Sequence, residues 1–409
     1  MPSDDIEMLI VGAGAAGIAA ARRLHDAGVD CLLIEARDRL GGRAYTAQAG
    51  GFALDLGCGW LHSADRNPWI AIAQAQGRTI DRTPPPWSRP GIGLGFPLDE
   101  QHAYRDAMNA FFERVAVLAQ RQPDVAASEA LERGNRWNGL ITAVCTYISG
   151  AEPNRLSALD FHNYDDTEIN WRVADGYGAV IAAHAAGVPH RLGCALTRID
   201  RSGKRLRAET AQGAVTADRV IVTLPTSIFA AAENLFAPAL PEKVEAARGL
   251  PLGLADKLFL SLDGHEEFEP GGRLFGAIDR VATATYHFRP FGRPVIEVYF
   301  GGSNAAELER GGVAAFADFA VRELVSHLGS GMAKRVKALA MHPWASDPLA
   351  RGSYSYATPG HAGCRSVLAA TVEGRIYFAG EACSVHDFST AHGAYRTGIA
   401  AAEAVIATR

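Results

Sequence analysis

The sequence predicts an α/β protein built on a Rossmann-type dinucleotide-binding unit at its N-terminus, with a second region inserted into the rest of the chain. Three observations predict it. A short apolar strand, Leu9-Ile10-Val11, runs into Gly12, Gly14 and Gly17, spaced as G-x-G-x-x-G. An Ala-rich helical stretch, Ile18 to Ala27, closes on Gly28 and leads to a second apolar strand, Cys31 to Ile34, which ends on Glu35. At 409 residues the chain is too long for one ordinary core, so two domains are expected.

Each part of the first unit has a physical task. Gly12 permits the tight turn, Gly14 lets backbone reach a pyrophosphate, and Gly17 lets helix pack on strand. The helix N-terminus at Ala15 and Ala16 offers free N–H groups and a positive dipole end to phosphates. Glu35 lies where an acid accepts ribose hydroxyls. A Gly/Ala-rich turn with no ligand is the bland alternative, and the glycines alone do not separate NAD from FAD.

The bulk numbers exclude several classes. With 48% hydrophobic and 21% charged residues the chain is an ordinary globular protein. A net charge of −5 gives no reason to expect nucleic acid or an anionic membrane. No apolar run reaches the roughly 18 residues of a membrane span. The acidic start (Asp4, Asp5, Glu7) does not read as a signal peptide, so a cytoplasmic location is expected. Six scattered cysteines, without C-x-x-C or clustered His, suggest neither a disulfide framework nor a metal site.

Four further segments carry chemistry. Phe52 to His62 (F-A-L-D-L-G-C-G-W-L-H) is an apolar strand running into a Gly-rich turn, either a plain hairpin or a cofactor-facing one. Lys257 interrupts the apolar strand Asp256 to Leu260; such a charge is costly unless satisfied, or it snorkels to the surface. Asp347 to Tyr356 reads D-P-L-A-R-G-S-Y-S-Y. Arg375 to Val405 reads as a strand, Gly380-Glu381, and a closing helix from about Ala391. Between them, Pro68 starts a helix over 67–76, and Arg82 to Gly95, with Pro84 to Pro86, Pro90 and three glycines, reads as a crossing loop. Helices are expected over 100–121, 128–147, 180–186, 241–248 and 312–328. Strands are expected over 192–200, 206–210, 219–224, 282–288 and 294–300, with Arg201 to Lys204 as a turn. The acidic run Tyr164 to Glu168 is either a solvated surface or a rim that attracts a cation.

In combination these motifs resemble the flavin monoamine/polyamine oxidase family, whose catalytic domain histone-lysine demethylases share. The residues that carry the likeness are Glu35-Ala36-Arg37-Asp38-Arg39-Leu40-Gly41-Gly42-Arg43, the G-x-x-W-L-H turn, W-x-V-x-x-G-Y-G at 171–178, V-I-V-T-L-P at 220–225, Trp344 with G-S-Y-S-Y, and G-E-A-C-S followed by S-T-A-H-G-A. The resemblance implies FAD, held by a Rossmann-type domain of the glutathione-reductase-like kind with an inserted α+β substrate domain. The implied division is 1–80, 188–250 and 345–409 for FAD, and 81–187 and 251–344 for substrate.

It also implies roles. Ala36, Arg37, Gly42 and Arg43 join the first glycine turn around the cofactor; Gly59, Trp60 and Leu61 touch the flavin; Leu196 lies by the adenine; Gly380, Glu381 and Ala391 meet the pyrophosphate, ribityl chain and flavin O2. Lys257 holds a water near flavin N5, while Trp344 and Tyr354 line the reactive side. Thr390 and His62 shape the cavity, His62 being either structural or catalytic. Monoamine oxidases carry a flavin-bonded Cys where this chain has Ser353, so non-covalent FAD is expected. They carry a second Tyr where this chain has Thr390, so Tyr354 is expected to be the lone tyrosine. The implied reaction oxidises a small amine with molecular oxygen to give hydrogen peroxide; a homodimer stays open. A C–C desaturase and a non-enzymatic flavoprotein scaffold are the alternatives.

Overall fold

The computed structural model describes residues 5–89, 93–94 and 96–409, with residues 93–94 in backbone only. Strand β1 (Asp5–Val11) is flanked in parallel by β2 (Cys31–Ile34), in register from Met8↔Cys31 to Val11↔Ile34, and by the Gly213–Val222 strand. The Ile376–Phe378 strand joins that last strand, again in parallel. These runs are apolar on both faces, as strands covered on both sides must be. Helix α1 (Ala15–Asp26) covers one face and packs on α2 (Ala391–Ile406), the closing helix. Their buried residues are mostly Ala and Gly, so the two backbones approach closely. An antiparallel hairpin, Leu196–Asp200 and Leu206–Thr210, extends the sheet through the expected turn at Arg201 to Lys204.

A second sheet stands beside it. In spatial order it runs Val336–Met341, β3 (Ala255–Leu262), β5 (Val295–Gly301), β4 (Thr285–Phe288), Arg273–Phe275 and Gly93–Leu94. All its neighbours are antiparallel except the last pair. Alternation places Leu258, Leu260, Ile296, Val298 and Phe300 in a core with Phe316, Ala320 and Leu324 of the Gly312–Leu328 helix. The opposite face carries Lys257, Glu297, Tyr299 and His287.

Several expected elements shift. The helix expected over 100–121 spans Leu98–Leu118. The one expected over 128–147 is split into a short 3-10 turn, Ala127–Ala130, and a helix, Asn138–Ser149. The Asn135 side chain accepts from the Trp137 N–H at 2.9 Å, a local turn that competes with helix. The helix expected over 180–186 spans Tyr177–Ala183, and Val173, Tyr177, Val180 and Ile181 already pack into the α1/α2 core. The strand over 219–224 begins at Gly213 and ends at Val222; beyond it Thr223 Oγ1 turns back to donate to Val11 O and Gly12 O. Within the loop at 82–95, Pro86–Ser88 forms one 3-10 turn, and Gly93–Leu94 pairs with Arg273–Phe275; Pro90, Gly91 and Gly95 lie outside the described residues.

Candidate active site

The cofactor cradle is two glycine turns set against each other. Gly12 has φ +98°, and a Cβ on Gly17 would lie 1.8 Å from Gly12 O, so only glycine lets α1 start this close to β1. Gly14 and Gly41 form a bridge, and Gly41 N–H donates to Ala13 O at 2.8 Å. Gly14 caps α1 without a side-chain bond, and a Cβ there would meet nothing within 4 Å. The first-turn N–H groups of α1, at Ala15 and Ala16, lack intrahelical partners, which suits a bound pyrophosphate. Glu35 is buried at the end of β2 and ties both turns together: Oε2 accepts from Ala13 N–H at 2.7 Å and Oε1 from Arg37 N–H at 2.9 Å. Cys194 N–H donates to Glu35 O, which brings the approach to Leu196 beside the acid. These features fit FAD.

Three expected cofactor residues take specific partners. Arg37 pairs with Asp347 at 2.8 Å. Arg43 Nη1 donates to Glu381 Oε1 at 2.9 Å and Ser353 O at 2.7 Å, joining the second glycine turn to the G-S-Y-S-Y and G-E segments. Glu381, just after Gly380, also accepts from Ser355 Oγ and Ser389 N–H; burial would raise its pKa, but Arg43, Ser355 and Arg365 outweigh it and keep it ionised.

The facing wall comes from the second sheet. Lys257 pairs with Tyr299 across β3 and β5, and His287 pairs with Glu297 across β4 and β5, so all four share one face. Lys257 Nζ lies 3.3 Å from Glu297 Oε1, and 3.0 Å from where a Cβ on Gly59 would stand. Arg172 Nη1 holds Glu297 Oε2 at 2.8 Å, and its guanidinium lies 4.8 Å from the Trp60 ring centre. Glu297 is fully buried; burial would raise its pKa, yet Arg172 and Lys257 outweigh this and hold it well below the usual carboxylate range. Burial lowers the His287 pKa, so this imidazole is neutral between its two charged neighbours.

Tyr354 OH donates to Tyr147 O at 2.5 Å, which fixes its ring. Its pKa is raised by burial and by the neighbouring Tyr299, so both phenols stay protonated. Tyr299, on β5, acts on Tyr354 electrostatically, and no motif marked it. Ser353 Oγ exchanges hydrogen bonds with Ala255 at 2.8 and 2.9 Å, anchoring β3 next to Lys257.

The remaining candidates sit as follows. Trp344 is buried, with its indole N–H donating to Leu56 O at 3.0 Å and its ring against Gly57. Leu61 is buried in the α1/α2 core, and its backbone pairs with Trp171. His62 Nδ1 meets Asn170 Oδ1 at 2.5 Å and Asp166 Oδ2 at 3.7 Å; burial lowers its pKa against both partners. Thr390 is the N-cap of α2: Oγ1 accepts from Gly393 N–H at 2.9 Å and donates to Asp387 O at 2.6 Å. Its hydroxyl is committed to the helix that begins at Ala391. Glu297, Arg172, His287 and Tyr299 escaped the sequence reading. A charge inside V-I-E-V-Y-F is the same signal that marked Lys257, and it would have found Glu297.

A family model described as flavin containing amine oxidoreductase matches residues 101–406. The chain belongs to the flavin-containing amine oxidoreductases. In this flavin-containing amine oxidoreductase, an NAD(P)-binding Rossmann-like model also matches residues 10–74, the segment with both glycine turns. The chain is similar to polyamine oxidase 3 of Oryza sativa subsp. japonica, 28% identical over 435 residues that cover 97% of this chain and 88% of that protein. It is 26% identical to lysine-specific histone demethylase 1 homolog 2 of the same organism, over 98% of this chain and 57% of that protein. Its fold is that of wild-type putrescine oxidase bound to putrescine, with a TM-score of 0.81 at 19% identity, covering 98% of this chain and 99% of that one. The cofactor of this flavin-containing amine oxidoreductase is a flavin. Among the described residues no helix is long and apolar enough to cross a membrane.

Proposed function

We propose that this chain oxidises a small amine to an imine, with molecular oxygen as final acceptor and hydrogen peroxide as product. The imine then hydrolyses to a carbonyl compound and an amine or ammonia. The observation that carries this reading is the buried Lys257–Glu297 pair beside Gly59, with Tyr299 opposite Lys257 across the strands. Bound FAD supplies the acceptor for the hydride that leaves the carbon next to nitrogen.

The chain's own residues position the amine. Tyr354, fixed by Tyr147 and neutral, offers its ring face to the unprotonated nitrogen. Lys257 holds a water at the reacting centre. Trp344, pinned by Leu56, backs the cavity, and His62 and the Thr390 cap shape its far side. The names of the relatives favour a di- or polyamine. Asp166, 3.7 Å from His62, is the acid best placed to attract its distal cation; Asp165 is paired with Arg66 at 2.9 Å. We assign residues 1–80, 188–250 and 345–409 to the FAD-binding domain and 81–187 and 251–344 to the substrate domain.

An anaerobic titration of the yellow protein with spermine, spermidine, putrescine, aromatic and cyclic amines, and amino acids tests this reading. Bleaching of the flavin by one of them is expected, with peroxide formed when air is admitted. A flavin that dithionite reduces and no amine bleaches would overturn it in favour of C–C oxidation or a scaffold role.

A further inference from the structure

We propose that Glu297 is the positioning residue of Lys257: one carboxylate oxygen holds the lysine ammonium against the Gly59 turn, while Arg172 holds the other oxygen from behind. Its bearing on amine oxidation rests on the reading above.

The geometry assigns these places. Lys257 sits on β3, diagonal to Glu297 on β5, with 3.3 Å between Nζ and Oε1. Glu297 Oε2 is taken by Arg172 Nη1 at 2.8 Å, which leaves Oε1 to Lys257. Lys257 is therefore held by the Glu297 carboxylate. Glu297 is 0% exposed, and such a carboxylate is tolerated only if it is paired. Arg172 alone, at 2.8 Å, would satisfy that need. Adding Lys257 makes two fixed cations share one anion, because the third neighbour, His287, is neutral. Lys257 is the member of the cluster whose charge reaches the Gly59 turn.

The other charged or titratable groups around Lys257 do not replace Glu297. Tyr299, opposite on β5, is protonated, with its ring centre 5.3 Å from Nζ. Cys58, on the glycine turn, has its thiol pushed up to about 12 by burial and by Asp55, so it is uncharged. Asp55 accepts from Tyr177 N–H at 2.9 Å and from Thr46 Oγ1 at 2.5 Å. Glu297 is the carboxylate within ion-pair distance of Lys257 among the described residues.

The chain has five lysines, Lys204, Lys243, Lys257, Lys334 and Lys337, so an ε-13C-lysine spectrum of the holoenzyme is readily assigned with a Lys257→Met control. Glu297→Gln is expected to lower the Lys257 titration midpoint by about one pH unit or more, while Arg172→Gln, which removes the competing cation, raises it. The other four resonances stay in place. A midpoint unmoved by Glu297→Gln, or moved the same way by both variants, would overturn the proposal; a general packing defect has no reason to give opposite shifts. If the Gln variant does not fold, Glu297→Asp keeps the charge and withdraws it from Nζ. Its Lys257 resonance is then expected to shift or broaden, and an unchanged one counts against the proposal. No amine is needed for this readout, so a flavin that amines fail to bleach would sink the proposed function and leave this result standing.

Discussion

Lys257 and Glu297 stand diagonally on adjacent antiparallel strands, and their charged ends meet 3.3 Å apart in a fully enclosed wall. A lysine so placed is costly to keep in a fold unless it does something there. Lys257→Met, which keeps the stem and removes the ammonium, is expected to slow flavin reduction or reoxidation on the order of 100-fold. Stopped-flow traces of both half-reactions check this, and unchanged rates in both remove Lys257 from the mechanism.

The Tyr354 segment is held by a second buried pair. Arg365 binds Asp160 through two bonds, 2.6 and 2.8 Å, and also donates to Ser355 Oγ, next to Tyr354. Asp160 accepts in addition from Ala357 N–H. Removing one partner strands a charge that has almost no exposure. Asp160→Ala is expected to lower stability by about 3–5 kcal/mol in denaturant unfolding of the holoenzyme. A loss below about 1 kcal/mol would show that the pair is not the clamp described here.

Gly17→Ala tests the cradle. The added methyl would stand 1.8 Å from Gly12 O, so the first glycine turn must move away from the α1 N-terminus. The variant is expected to purify with little flavin, read as the ratio of absorbance near 450 nm to that near 280 nm. Full flavin content would mean that the turn can relax without losing the pyrophosphate.

Asp387 sets an acid limit. Burial would raise its pKa, but His392 and Arg396 outweigh this and bring it down to about 2. The folded value lies below the unfolded one, so the carboxylate stabilises the fold above about pH 4. That contribution is lost as pH falls through the folded value. Asp387→Asn is expected to cost roughly 2 kcal/mol at pH 7, with the gap to wild type closing toward pH 2. A gap that is constant with pH would assign the cost to packing around the α2 N-terminus instead of charge.

Local chemistry made the nucleotide-binding half legible in advance. G-x-G-x-x-G, Glu35 and the second glycine turn act through backbone conformation within about thirty residues, and the chain spells that out directly. Pro68, with the Asn67 cap, and the start of α2 at Ala391 were legible for the same reason. The Asn138–Ser149 helix and the Gly213 start of the long strand were not, because an Asx turn and a hairpin partner decided them. The wall of the site lay further out of reach. Arg172 and Glu297 are 125 residues apart in number; the register of β3 on β5 brings Lys257 to Glu297, and Arg172 reaches the same carboxylate from a separate two-stranded sheet. The sequence on its own determined the dinucleotide cradle, because that cradle is a short-range object. Which side chains meet on the Lys257 face of the second sheet was decided only by tertiary structure, because cross-strand pairing joins residues that no spacing rule connects.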